Sequence, residues 1–175
     1  MRVNDRTADV AGLAQTSSTR TGASASCSPS TWIIPQSSGE FERCWRRQCS
    51  EPALKYDYLM SMPSEDVERV FKMEMSGVLI AEIVMSLRSE FARRYDDGGK
   101  EVGAEEARRI VDLLEAMTRT GRFGLNSKLV GKAAKSALTE LVDDHLSRKL
   151  GGSGRDASTD IAVLGKLKQL YGLNV

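Results

Sequence analysis

From residue 39 onward the apolar positions recur with the period of a helix, and no segment alternates with the period of a strand. Phe41, Trp45 and Cys49 are spaced i, i+4 and i+8, with Glu42, Arg43, Arg46 and Arg47 on the other face, which predicts a short amphipathic helix. Ser50 is the expected cap of a second helix that begins with Glu51 and Pro52 and buries Leu54, Tyr58 and Leu59. Pro63 followed by Ser64, Glu65 and Asp66 predicts a third, because proline suits a first helical turn and acids there complement the helix dipole; Val67, Val70 and Phe71 form its inner side. The strongest periodic element starts after Ser76. Ile80, Ile83, Val84, Leu87 and Phe91 share one stripe and predict a long core helix ending near Tyr95, where Asp96-Asp97-Gly98-Gly99 supplies turn chemistry.

A fifth helix, with Glu105 and Glu106 in its first turn, packs through Ala107, Ile110, Val111, Leu114 and Met117, and Gly121 is expected to stop it in a left-handed conformation. The run 125–150 carries Leu129, Leu138, Leu141, Val142 and Leu146, breaks near Gly131, and ends with Arg148 and Lys149 before Gly151. Beyond the flexible Gly151-Gly152-Ser153-Gly154 link, Ser158 is expected to cap a last helix with Ile161, Leu164, Leu167 and Tyr171 inward. The sum is an all-α bundle of about seven short helices, neighbours roughly antiparallel, with none of the fixed repeats a solenoid needs.

Residues 1–38 differ in kind. They hold thirteen Ser or Thr, few large apolar residues and no period, and so cannot bury enough surface to offset the entropy of ordering. The expected organisation is a disordered, flexible Ser/Thr-rich tail over 1–38 and a helical interaction domain over 39–175. One apolar island, Trp32-Ile33-Ile34-Pro35, is either a linear motif that docks on another protein or the residues that tie the tail onto the bundle.

Composition sharpens this picture mainly by exclusion. The 175 residues are one domain's worth of chain, and 25 basic against 24 acidic residues give no drive toward nucleic acid, an anionic membrane or an acidic substrate. The apolar run 77–81 is far short of a membrane span and the N-terminus lacks a secretory h-region, so an intracellular, soluble protein is expected; Arg2, Arg6 and Arg20 hint at a mitochondrial transit peptide, which Asp5 and Asp9 oppose. Cys27, Cys44 and Cys49 form neither an even disulfide framework nor a C-x-x-C pair and read as free thiols.

Enzyme chemistry finds little support. The single histidine, His145, sits at an inward or boundary position of its helix, as a packed structural residue would. Gly131-Lys132 and Gly165-Lys166 lack the upstream glycine and following Ser/Thr of a phosphate loop, and Cys44 and Cys49, five apart, are poorly placed to share a metal. Asp96-Asp97 and Asp143-Asp144 point apart and read as solvated surface. Met60, Met62, Met73 and Met75 read as gap-filling core, with a soft peptide-binding patch as the alternative. No catalytic residue, cofactor or metal is expected.

The candidate chemistry is that of docking. In Arg119-Thr120-Gly121-Arg122-Phe123-Gly124-Leu125-Asn126 a helix would place Arg122, Leu125 and Leu129 at i, i+3 and i+7 on one face beside Gly121, a cation next to two aliphatics that suits a partner's groove, or else ordinary packing residues. Phe123 reads as core. Arg46 and Arg47, beside a Trp45 that an amphipathic helix would bury, are an exposed basic pair.

Those residues, with Phe41-Glu42-Arg43-Cys44-Trp45-Arg46-Arg47 upstream and Leu167-Lys168-Gln169-Leu170-Tyr171 near the end, resemble the C-terminal helical domain of RNA polymerase II-associated protein 3 over about residues 39 to 173. That domain also occurs in sperm-associated antigen 1 and in the axonemal dynein-attachment factor coiled-coil domain-containing protein 103. The likeness to the last is the fullest, through an aromatic followed by Trp-Arg-Arg and a Thr-Gly-Arg-Phe-x-Leu-Asn run. The resemblance implies a non-enzymatic protein–protein interaction factor of dynein arm assembly or attachment, in the cytoplasm and the axoneme of a cilium or flagellum. Its implied partners are axonemal dynein, its assembly factors or microtubules. The alternative is an adaptor that binds RuvB-like AAA+ ATPases in a chaperone pathway linked to heat-shock protein 90. In the family the segment at Arg122 lies in a groove of those ATPases: Arg122 matches an arginine, Leu125 a long apolar residue and Leu129 a position often aromatic. The dynein-attachment factors carry an N-terminal coiled-coil helix, whereas residues 1–38 have no heptads. The oligomeric state is not specified.

Overall fold

In the computed structural model, which describes residues 32–96, 104–150 and 157–173, helix follows helix and no strand occurs among the described residues. Helix α1 (Ser38–Arg47) starts where the Ser37 hydroxyl accepts the Glu40 N–H, and it carries Glu40 in its first turn and Arg46 and Arg47 in its last, both favourable to the dipole. Helix α2 (Pro52–Ser61) has proline in its first turn as expected, but Glu51 rather than Ser50 occupies the capping position, without a side-chain cap. Helix α3 (Ser64–Val70) follows Pro63. The long α4 (Gly77–Asp96) is opened by the Ser76 hydroxyl, which accepts the Leu79 N–H at 3.2 Å, and α5 (Ala104–Thr118) has the predicted acids in its first turn.

The expected run 125–150 is divided. A four-residue α6 (Phe123–Asn126) passes into a 3₁₀ turn (Ser127–Leu129), and extended backbone at Val130 and Gly131 separates these from α7 (Lys132–Glu140). From there a π-helical turn (Leu141–Leu146) and α8 (Ser147–Leu150) continue the same rod. The Ser147 hydroxyl donates to the Val142 carbonyl at 2.7 Å, occupying an acceptor in the widened turn. Helix α9 (Ala157–Leu170) already includes Ser158, which is therefore not its cap. Counting 132–150 as one rod gives eight helices among the described residues, one more than predicted, because α6 stands alone. The expectations for residues 1–31, including Cys27, for Asp97-Gly98-Gly99 and for Gly151-Gly152-Ser153-Gly154 lie outside the described residues.

Helix α4 is the axis of the bundle: its stripe Ile80, Ile83, Val84, Leu87 and Phe91 is fully buried, with α2 and α7 packed along it. At one end Phe41 is the centre of an aromatic cluster, its ring 5.6 Å from Trp45, 5.3 Å from Tyr58 and 5.0 Å from Phe71, the last edge-on. Trp45 is fully buried, donates its indole N–H to Glu82 of α4 at 2.8 Å, and carries the Lys55 ammonium 4.7 Å above its ring. Tyr56, unremarked in the sequence, is as buried as Tyr58, while Leu54 is only half-buried. In α9, Leu164, Leu167 and Tyr171 point inward as predicted, but Ile161 is exposed. The neighbouring Asp160 faces α5 instead, 3.5 Å from Arg108. The Tyr171 hydroxyl donates to the Leu114 carbonyl, locking α9 across α5.

A second tie is ionic. Glu90 is buried near the end of α4, and Arg93 donates to its carboxylate through two nitrogens at 2.6 and 2.9 Å. Arg94 adds a third bond at 3.0 Å, reaches Asp57 of α2 at 2.6 Å, and lies 4.4 Å over the Tyr56 ring, whose hydroxyl donates to Glu106 of α5. The bonds from Arg93 and Arg94 hold the Glu90 carboxyl below the usual range, outweighing the opposite effect of burial.

Trp45→Ala removes the largest side chain of the aromatic cluster, and denaturant unfolding should show a loss of about 3–5 kcal/mol. Because the Glu90 pKa is depressed on folding, its contribution is full above the unfolded value of about 4.3 and is lost as pH falls through the folded one. Glu90→Gln should therefore lower the melting temperature near neutrality, and the gap from wild type should close on acidification below about pH 4.3.

Candidate docking surface

The segment that contains Arg122 is held against the loop before α4 by backbone-level contacts. The Gly121 N–H donates to the Phe71 carbonyl at 3.1 Å, and a Cβ on Gly121 would lie 2.0 Å from the Met73 carbonyl oxygen and 2.4 Å from that of Lys72. Glycine is required there for close approach, not for a left-handed turn. The left-handed residue is Arg122, at φ 57° and ψ 16°, an uncommon conformation for a residue with a side chain. Among the described glycines only Gly172, just past α9, has a positive φ.

Three more contacts extend the seam in the same chain direction. Arg122 approaches Glu74 at 3.7 Å. The buried Asn126 donates through its amide to the Met75 carbonyl at 2.8 Å and to Glu74 at 3.1 Å. A Cβ on Gly77 would stand 2.8 Å from the Asn126 carbonyl oxygen and 3.2 Å from Leu129 Cβ. Beneath the seam Phe123 is buried edge-on against Tyr171, 4.9 Å between ring centres, as its core assignment requires.

Arg122, Leu125 and Leu129 thus do not share one continuous helix, since Arg122 precedes α6 and Leu129 ends the 3₁₀ turn. The two leucines are nevertheless exposed, at 62% and 72%. The facing segment adds Met73 and Val78, exposed at 84% and 66%: Met73, expected in the core with a soft peptide-binding patch as the alternative, sits outside any helix, and Val78, which sequence reasoning missed, lies on the outer side of α4. The methionines divide, with Met62 and Met75 in the core, Met60 half-buried and Met73 outside.

Arg46 and Arg47 are exposed on α1, where Arg46 approaches Glu42 of its own helix at 3.6 Å; among the described residues no ion pair joins them to the Arg122 segment. Trp32 packs its ring 5.1 Å from Tyr58, Pro35 is buried, and Arg69 of α3 donates to the Pro35 carbonyl and the Gln36 side chain. Ile33 remains exposed. His145 is half-buried, edge-on to Phe91 at 5.8 Å. Asp143 is paired with Lys168 and Asp144 with Arg148, and Cys44 and Cys49 are outside any disulfide. Among the described residues no cluster of His, Cys, Asp or Glu could hold a metal ion, and no helix is long and apolar enough to cross a membrane. An open cleft bordered by Met60, Arg94, Glu105, Glu106 and Arg109 carries charges of both signs, and Arg94 is committed to the ionic tie described above.

Packed helices and an exposed apolar seam make this an all-helical domain whose distinctive chemistry lies on its surface. The family described as the potential Monad-binding region of RPAP3 matches residues 34–135, more than half of the chain. The chain belongs to that family of RPAP3 C-terminal domains. It is 35% identical over 113 residues to a dynein axonemal assembly factor 19 homolog of Chlamydomonas reinhardtii, covering 62% of this chain and 42% of that protein. It is also 30% identical over 109 residues to dynein axonemal assembly factor 19 of Danio rerio, covering 62% and 40%. The match thus spans well under half the length of these relatives. The NMR structure of the C-terminal domain of the human RPAP3 protein superposes with a TM-score of 0.59 at 18% identity, over 81% of this chain and 93% of that one, a likeness of fold.

Gly121→Ala should force the two backbones apart and cost about 3 kcal/mol in denaturant unfolding, more than an exposed glycine-to-alanine change elsewhere. Gly124→Ala, where a Cβ meets open space, is the matched control and should leave stability unchanged or raised.

Proposed function

We propose that this chain is a non-enzymatic protein–protein interaction factor that helps assemble or attach axonemal dynein arms, acting in the cytoplasm and at the axoneme of a cilium or flagellum. The observation that carries the docking reading is the exposure of Leu125 and Leu129 beside Arg122 on a rigid seam. Burying one such leucine in a partner is worth roughly 1.5–3 kcal/mol, enough for two of them to act as anchors. The names of the relatives support the dynein setting, since they are themselves dynein axonemal assembly factors. Axonemal dynein, its assembly factors or microtubules are the partners this reading points to, with Arg46 and Arg47 as a second, polar contact on α1.

A second reading is favoured by the family description, which is drawn from RPAP3 and names a protein-binding region. On it, the same three residues bind a RuvB-like AAA+ ATPase, and the chain is an adaptor in a complex-assembly pathway linked to heat-shock protein 90.

Affinity purification of the tagged chain from its native cells, wild type against Leu125→Asp/Leu129→Asp, separates the two. Axonemal dynein chains or their assembly factors should be recovered with wild type and reduced about tenfold or more with the variant, whose melting temperature should be unchanged because both positions face solvent. Recovery of RuvB-like ATPases without dynein components would replace the first reading by the second. Identical partners with both chains would sink the docking face itself.

A further inference from the structure

The docking surface has a second half and a definite electrostatic character. The segment that carries the exposed Met73 and leads into Val78 runs alongside the one that carries Leu125 and Leu129, residues 72–77 meeting 121–129 at Gly121, Asn126 and Gly77. Four bulky apolar side chains exposed along one seam are unusual on a domain whose other large apolar residues are mostly buried. The strip is also preformed, since its two segments are fixed to each other by backbone contacts and by the buried Asn126 amide. A partner would therefore lose little affinity to ordering it.

The charges around the strip are unbalanced. Its carboxylates are occupied: Glu74 lies against Arg122 and Asn126, and Glu68 accepts from Arg119 at 2.6 Å. Its lysines are not. Lys72 precedes Met73, Lys128 precedes Leu129, and Lys132 opens α7; all three are exposed, and none is matched to a carboxylate among the described residues. A chain of formal net charge +1 thus carries a local cationic rim around an apolar strip.

From this juxtaposition we propose that the strip formed by Met73, Val78, Leu125 and Leu129 receives an acidic amphipathic segment of a partner protein, apolar residues on the strip and carboxylates against Lys72, Lys128 and Lys132. The proposal rests on the docking reading above and extends it to a second chain segment and a partner chemistry. Two other occupants fit less well. A second copy would bring the same cationic rim against itself, which like charges disfavour. Residues 1–31 of this chain carry three arginines against two aspartates and offer no acidic complement.

Photo-cross-linking tests it with the full chain. Benzoylphenylalanine replaces Gly124, where a side chain meets open space, the chain is irradiated in extract of its native cells, and the attached peptide is sequenced. Recovery is compared among wild type, Met73→Asp/Val78→Asp, Leu125→Asp/Leu129→Asp and Lys72→Glu/Lys128→Glu/Lys132→Glu, each confirmed folded by its melting curve. The expected peptide belongs to another protein, has apolar residues at helical spacing, and contains more Asp and Glu than Lys and Arg. All three variants should reduce its recovery about tenfold or more, and wild-type recovery should fall with rising salt. A cross-link to this chain itself, or to a segment without acidic excess, overturns the proposal. So does Met73→Asp/Val78→Asp behaving as wild type while Leu125→Asp/Leu129→Asp fails, an outcome that leaves the docking reading intact. If no variant changes recovery, both fall together.

Discussion

The approach of Gly121 to the backbone at Phe71, Lys72 and Met73 is the constraint on which the surface of this domain depends. It joins the end of α3 to the end of α5, two helices already packed on each other, and leaves no room for a side chain between the two strands of backbone. The chain must then turn sharply to bury Phe123, and the residue that absorbs the turn is Arg122, in a conformation a glycine would adopt more cheaply. A strained arginine beside exposed leucines is the pattern expected where the surroundings impose a conformation that intrinsic preference would not choose.

The rest of the bundle makes that surface rigid. Helix α4 contributes its buried stripe to the core, its Glu82 to Trp45, and its Glu90 to a pair of arginines, of which Arg94 reaches Asp57 of α2 and Glu106 of α5. Aromatic packing at one end and charge pairing at the other hold the helix along its length, so the loop that precedes it has a fixed base. Helix α9 completes the support from the other side through Tyr171, which touches both Phe123 and Leu114. A surface on such a base would lose little entropy on docking a partner.

Much of this was legible in the sequence, and the failures share a cause. Periodicity located every core helix, and the stripe from Ile80 to Phe91 was read without error because burial on one side of a long helix leaves a strong 3.6-residue signal. Family membership was legible through the ordered set of short motifs, and the matched region confirms it. Contacts between distant segments were not legible. Gly121 looked like a helix stop because the carbonyls it must avoid are some fifty residues earlier in the chain. Ile161 looked like an inward residue because its spacing was right, although it lies on the outer side of α9. Glu90 gave no sign of its burial in the sequence, because arginines three and four residues on are what an exposed helix also shows.

The bonds from the Asn126 amide to Met75 and Glu74 span 51 and 52 positions of sequence. Contacts of that separation close late, after the entropy of the intervening loop has been lost, so neither half of the strip is in place until α4, α5 and α6 have all assembled. A ribosome-bound or partly unfolded copy presents two unrelated fragments, and only the finished domain presents a surface. A partner that recognised both halves would therefore inspect the fold before engaging, and by binding the native state alone it would also stabilise what it had selected.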